Sequence, residues 1–374
     1  MLRHLCDVNP SSPQRMPFLD ATRGLAILMM LQWHFMSGVW NYGESDWDTT
    51  IWQAFSGLTA PLFLLVSGWV VAHVLESAGN SPAIRHKLTY RGLMLIALGY
   101  SLRLTLPSLF FWNLNPVMVH VDILQIIGFG MLVIVSLAWL MRYATLRVLT
   151  ALLLALCCVY VNRDSFEISF WMNLLDLRIR ESAIPMNVTP QLDYEIDLPI
   201  LEYWLNPRSG SVFTLFPWLA YMLAGSVAPR LVSFLNTQSK SVGSRVRIMQ
   251  VIVLIAMVLF AFFVYQIDQV VAHKLLRSLG LIAAVAGVTR IVRMRWLERF
   301  GKRSLAAYVF HIVLLYGAYT GFGLIDFLPT LEFTTALLAC ALFTGITACI
   351  AVSPAAQLSW WSKQVNKSLP FLAR

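Results

Sequence analysis

FLDATRGLAILMMLQWHF, residues Phe18 to Phe35, is apolar over a length that crosses a bilayer, yet it carries Asp20, Arg23 and His34. A charged side chain at the bilayer centre costs about 2.5–3.5 kcal/mol even on permissive insertion scales, so such residues in a span face protein or water and tend to be functional. Read as a helix, Arg23 and His34 are three turns plus ~20° apart, which puts them on one face and ~16 Å apart along the axis. Asp20 precedes Arg23 by three residues and can pair with it on that face. Gly24 beside them permits close approach of another helix or a ligand. A structural reading of the same residues also stands: Arg23 snorkelling to the interface with Asp20, and His34 as a packing residue beside Trp33.

The rest of the chain has the composition of a membrane protein. Of 374 residues, 58% are hydrophobic, 13% aromatic and only 13% charged, and the mean hydropathy is +0.68. A soluble domain is nearer half apolar and a quarter charged. Apolar runs of spanning length predict helices at about 18–41, 51–76, 91–112, 118–140, 146–162, 211–229, 247–267, 275–292, 304–325 and 332–353. Run length and lack of alternation exclude a β-barrel. The expectation is therefore an all-α polytopic membrane bundle of about ten transmembrane helices. Residues 1–374 read as one transmembrane domain, with a long loop at 162–210 inside it.

Charge orients this bundle. When the loops alternate between two sides, twenty of the 28 basic residues fall on the side of the N-terminus and six on the other; Arg23 and Arg103 lie within spans. The positive-inside rule then places both termini in the cytoplasm. The net charge of +9 is thus a topology signal, and no nucleic-acid partner is expected. The polar first 17 residues do not read as a cleavable signal peptide. Segment 162–210 falls outside the cell, where it reads equally as a functional lid or a solvated spacer. It holds a weak glycosylation sequon at Asn187–Thr189, followed by Pro190. Five cysteines without CxxC or His/Cys ligand spacing predict neither a disulfide framework nor a metal site.

Further polar residues gather at two depths. On the external side, His120 and Asp122 open the fourth span, and Arg103 in the outer half of the third is expected to neutralise Asp122 as a structural ion pair. On the cytoplasmic side the ninth span opens with Ser304, Tyr308 and His311. Packing accounts for Tyr308, whereas His311 reads equally as a ligand contact. Before it stands a basic cluster, Arg293, Arg295, Arg299, Lys302 and Arg303. This sets topology and also suits a polyanionic phosphate ligand.

LDATRGLAILMMLQWH (Leu19–His34) resembles the opening motif of the transmembrane acyltransferases. That superfamily includes the heparan-α-glucosaminide N-acetyltransferase-like catalytic family and the acyltransferase-3 family, whose Arg-x10-His signature Arg23 and His34 match. FSGLTAPLFLLVSGWVV, DILQIIGFGML, LFPWLAYMLAGS and FGKRSLAAYVFHIVLLY are similar to later motifs of the group, in the expected order. The resemblance implies an acyl-coenzyme A donor in the cytosol, acetyl-coenzyme A foremost, and an extracytoplasmic glycan or glycolipid acceptor. The residues read above fit this, with His34 as general base and Arg23 as its catalytic companion near the entry of the thioester arm, and with Asp20, His120, Asp122, Arg303, Ser304, Tyr308 and His311 as candidate donor or substrate contacts. The loop NYGESDWDTT after the first helix lacks the histidine of the human-type heparan enzymes, which shifts the catalytic expectation to His34. A transporter or flippase using the same polar residues is the alternative, although no Gly- or Pro-broken half-helix pair marks a transport site. Short loops and the resemblance point to a bacterial inner membrane.

Overall fold

The computed structural model describes residues 16–40, 57–110, 116–141, 143–162, 200–205, 211–237 and 244–352. Its regular elements are helices. Among the described residues, seven helical segments are long and apolar enough to cross a membrane: Thr59–Ser77, Val117–Leu140, Ala144–Val161, Leu215–Val232, Ile248–Ile267, Gln269–Ile291 and Phe333–Val352. The protein is an all-α, multi-pass integral membrane bundle. Three more of the expected spans are also helices, at Pro17–Val39, Pro82–Ser101 and Ser304–Tyr316, but these are polar or short. The last has 13 residues, about 20 Å of helix against a hydrocarbon core of about 30 Å.

Two boundaries differ from the sequence expectation. The third helix runs Pro82–Ser101 instead of 91–112. Ser81 as N-cap and Pro82 in the first turn start it, because proline's missing N–H and fixed φ suit that position. Its charged first turns, with Arg85, Lys87 and Arg91, lie outside any apolar run. Arg103 consequently lies just past the helix end. The ninth expected span stops at Tyr316, where Gly317 takes the left-handed conformation (φ 68°) of a C-terminal cap. Of the loop at 162–210, only Asn162 and the short helix Ile200–Leu205 are among the described residues. The sequon lies outside them.

The chain packs as two compact units. The first, residues 60–280, holds α2 (Thr59–Ser77), α3 (Pro82–Ser101), α4 (Leu106–Phe110), α5 (Ile123–Leu140), α6 (Ala144–Val161), α7 (Ile200–Leu205), α8 (Leu215–Thr237), α9 (Ser244–Ile267) and the start of α10 (Gln269–Ile291). Glycine sets its closest helix approaches. A Cβ on Gly92 of α3 would stand 2.8 Å from the Gly128 carbonyl oxygen of α5. Likewise, a Cβ on Gly68 of α2 would meet the Met222 carbonyl of α8, and one on Gly225 the Leu65 carbonyl. Without a hydrophobic drive between helices in lipid, such backbone contact supplies the packing. α6 lies against α8 and α9.

Asp122 has two jobs in this unit. Its carboxylate pairs with Arg103 at 3.1 Å, as expected from sequence, and it caps α5 by accepting from the Ile123 N–H at 2.8 Å within a capping box closed by Gln125. Both members of the ion pair are about a quarter exposed, so the cap contributes more than the pair. Asp122→Ala is expected to destabilise the protein by about 1–2 kcal/mol. Asp122→Asn, which keeps a capping oxygen, should lose less than half of that. Thermal denaturation of the two variants in one detergent checks the order.

The second unit, residues 16–59 and 281–374, is built on α1 (Pro17–Val39), with α11 (Arg295–Lys302), α12 (Ser304–Tyr316), a 3-10 turn at Leu324–Asp326 and α13 (Phe333–Val352) packed around it. The N–H of Leu331 donates to the Val39 carbonyl at 2.7 Å and ties the end of α1 to the segment that enters α13.

Candidate active site

α1 presents its polar face to α11 and α12. At its first turns it meets α11 through two glycines. A Cβ on Gly24 would run into the Leu297 carbonyl oxygen, and one on Gly301 into that of Asp20. This backbone approach brings the Asp20 carboxylate to 3.8 Å from Lys302 Nζ. Arg303, with φ −109° and ψ 17°, breaks the chain between α11 and α12. α12 therefore starts beside Arg23, whose Nη2 donates to Ser304 Oγ at 2.9 Å. Ser304 is buried.

Three turns further along α1, His34 Nδ1 lies 2.7 Å from His311 Nε2. The two rings meet edge to edge, with centroids 4.9 Å apart and planes at 27°. His311 is 0% exposed, whereas His34 is half-buried. Tyr308, also buried, sets its ring nearly perpendicular to His311 at 5.2 Å. Tyr316 stands edge-on to His34 at 5.6 Å, and its hydroxyl donates to the His34 carbonyl at 3.3 Å. Position 23 meets 304 and position 34 meets 311, so α1 and α12 run parallel, and their facing surfaces carry a cation at one end and an imidazole pair at the other.

Of the residues singled out in the sequence, the structure thus gathers Asp20, Arg23, His34, Ser304, Tyr308 and His311 in one unit. Arg303 lies at the junction of α11 and α12. His120 and Asp122 belong to the first unit, where the His120 ring packs against Tyr203 at 5.4 Å and Asp122 caps α5. Of the basic cluster, Arg293, Arg295 and Arg299 are exposed, and Arg293 approaches buried Glu298 at 3.6 Å. A cleft of about 360 Å3 in the first unit is lined by Arg85, His86, Thr89, Ser136 and Trp139, among others, and by none of the residues around His34. Among the described residues no cluster of three His, Cys, Asp or Glu side chains offers a metal site.

Sequence reasoning missed Tyr316 and the pairing of the two histidines. The first lies five residues beyond His311, off its face on a regular helix, so helical spacing did not point to it. The signal for the second was present. Arg23 to His34 and Ser304 to His311 are both polar pairs at face-sharing helical spacing, which two parallel helices can match one against the other.

What the arrangement offers chemically is a proton-accepting imidazole held by a second imidazole, ~16 Å along α1 from a guanidinium. Residues 15–270 match the family described as heparan-alpha-glucosaminide N-acetyltransferase, catalytic. The match includes Arg23 and His34 and ends before α11 and α12. Comparisons with curated proteins and with solved structures gave no match. This multi-pass bundle, matched over most of its length, belongs to the heparan-alpha-glucosaminide N-acetyltransferase catalytic family and is a membrane acetyltransferase.

Proposed function

We propose that the protein moves an acetyl group from cytosolic acetyl-coenzyme A to a hydroxyl or amino group of an extracytoplasmic glycan or glycolipid, with His34 as general base. The 2.7 Å contact between His34 and His311 carries this reading. A histidine that only packed would have no need of a second, fully buried imidazole aligned on its ring nitrogen. Family membership favours transfer chemistry over the transport alternative.

In this reading the chain works as one transmembrane acyltransferase domain, both termini in the cytoplasm of a bacterium. Arg23 and the exposed arginines of α11 attract the polyanionic donor. Asp20 and Ser304 hold Lys302 and Arg23 in place, and Arg303 adds charge at the same end. His120 and Asp122 are candidate acceptor contacts on the external side. The reaction balances without a metal. As the acceptor oxygen or nitrogen forms its bond to the thioester carbonyl carbon, His34 takes its proton, the C–S bond breaks, and the proton passes to the departing thiolate.

Proteoliposomes test this. Labelled acetyl-coenzyme A outside vesicles whose protein exposes its cytoplasmic face should transfer label to an amino sugar or glycan sealed inside. Label that stays on the donor with every hydroxyl and amino acceptor offered, while an acceptor molecule crosses the membrane, would establish the transport reading instead.

A further inference from the structure

His311 is fully buried, so its use is to be sought in the groups that touch it. Its Nδ1 lies 3.2 Å from the Ala307 carbonyl oxygen, one turn back on α12. A carbonyl only accepts, which assigns the ring proton of a neutral His311 to Nδ1 and its lone pair to Nε2. Nε2 is the atom 2.7 Å from His34 Nδ1. For that contact to be a hydrogen bond, His34 must donate from Nδ1, and a neutral His34 then carries its own lone pair on Nε2.

We propose that His311 is a positioning residue: it holds His34 in the Nδ1–H tautomer, so that His34 Nε2 is the atom that takes the acceptor's proton. This rests on the reading of His34 as base. The backbone supplies the fixed end of the chain, since the Ala307 carbonyl belongs to α12 itself and cannot rotate. Tyr308, nearly perpendicular to His311, and the near-coplanar His34 ring at its Nε2 edge set the plane of the imidazole. When His34 becomes an imidazolium, its Nδ1 proton is shared along the same hydrogen bond, and the second ring spreads the charge. A neutral orienter suits this depth, because a carboxylate in its place would need its own desolvation met by a further partner.

Among the described residues, the other titratable groups around the pair are few. They are Tyr308 and Tyr316 on α12, Cys340 on α13, whose Sγ is 3.8 Å from the Gln32 carbonyl, and Arg23 three turns along α1. Asp326 of the 3-10 turn has its carboxylate bound by the Gly323 N–H at 2.7 Å.

Two substitutions separate positioning from packing. His311→Gln places an amide oxygen where Nε2 stood, so it can accept from His34. His311→Phe keeps the ring and removes the acceptor. His311→Phe is expected to lower kcat about a hundredfold with the KM for acetyl-coenzyme A changed by less than about twofold, while His311→Gln keeps about a tenth or more of wild-type kcat. The 15N spectrum of ring-labelled wild-type protein should report His34 protonated at Nδ1, and His311→Phe should lose that preference. The proposal is overturned by wild-type kcat in His311→Phe, by His311→Gln no better than His311→Phe when both melt like wild type, or by an Nε2–H tautomer of His34 in the wild-type spectrum. That last measurement decides even where the variants fail to fold. Full turnover in a His34 variant would sink the base reading itself; an inactive His34 variant beside a fully active His311→Phe sinks only the positioning role.

Discussion

Replacing His34 by glutamine or alanine lowers acetyl transfer by about 10²–10⁴-fold, the range over which a positioned general base acts, while donor binding and insertion into the membrane stay as in the wild type. The expectation follows from the division of labour along α1. Arg23, with its bond to buried Ser304, stands three turns from the imidazole pair, so the donor attraction proposed for one end survives loss of the base proposed at the other. Removing His34 also leaves His311 with its Nδ1 bond to Ala307 intact. The glutamine variant is the cleaner of the two, since it keeps most of the volume. The measurement is kcat and KM for labelled acetyl-coenzyme A, with the melting temperature as control. Loss of kcat at unchanged KM is the signature of an interaction made in the transition state. A variant that turns over like wild type removes His34 from the mechanism.

The second large effect is on stability. Gly301→Ala should destabilise the protein by about 3 kcal/mol, the upper part of the usual cost of overpacking. The added methyl would meet the backbone carbonyl of Asp20 and come within 2.8 Å of the Gly24 amide nitrogen. A flexible side chain can swing away from such a contact, whereas two helix backbones have to move apart. Separating α1 from α11 draws Asp20 from Lys302 and shifts the start of α12, so the Arg23–Ser304 bond goes with it. Thermal inactivation in detergent should fall well below wild type, with activity lost in parallel. Gly345→Ala on α13 is the control. Nothing stands within 4 Å of a Cβ there, and alanine is the better helix former by about 1 kcal/mol. Equal melting of the two variants would mean that the α1–α11 approach is not tight.

The polar residues of the first helix were legible because lipid makes them costly. Asp20, Arg23 and His34 could not sit in an apolar run by accident, and the 3.6-residue period alone placed two of them on one face. The Arg103–Asp122 pair was legible for the same reason. The start of α3 was not, because its first turns are charged and a search for apolar runs passes over them; the Ser81–Pro82 capping signal was the better guide. α12 was read too long, since Gly317 looks like any other membrane glycine until its positive φ is seen.

By itself the sequence determined the environment, the helical class and the face on which an imidazole and a cation stand, because hydropathy and helical period act locally and each residue reports its own cost of burial. Only the tertiary structure decided what that imidazole is bonded to. Which nitrogen of His34 meets His311 depends on α12 being set beside α1, nearly three hundred residues away in the chain, just after the close glycine approach of α11 to α1, and no local property of either segment encodes that register.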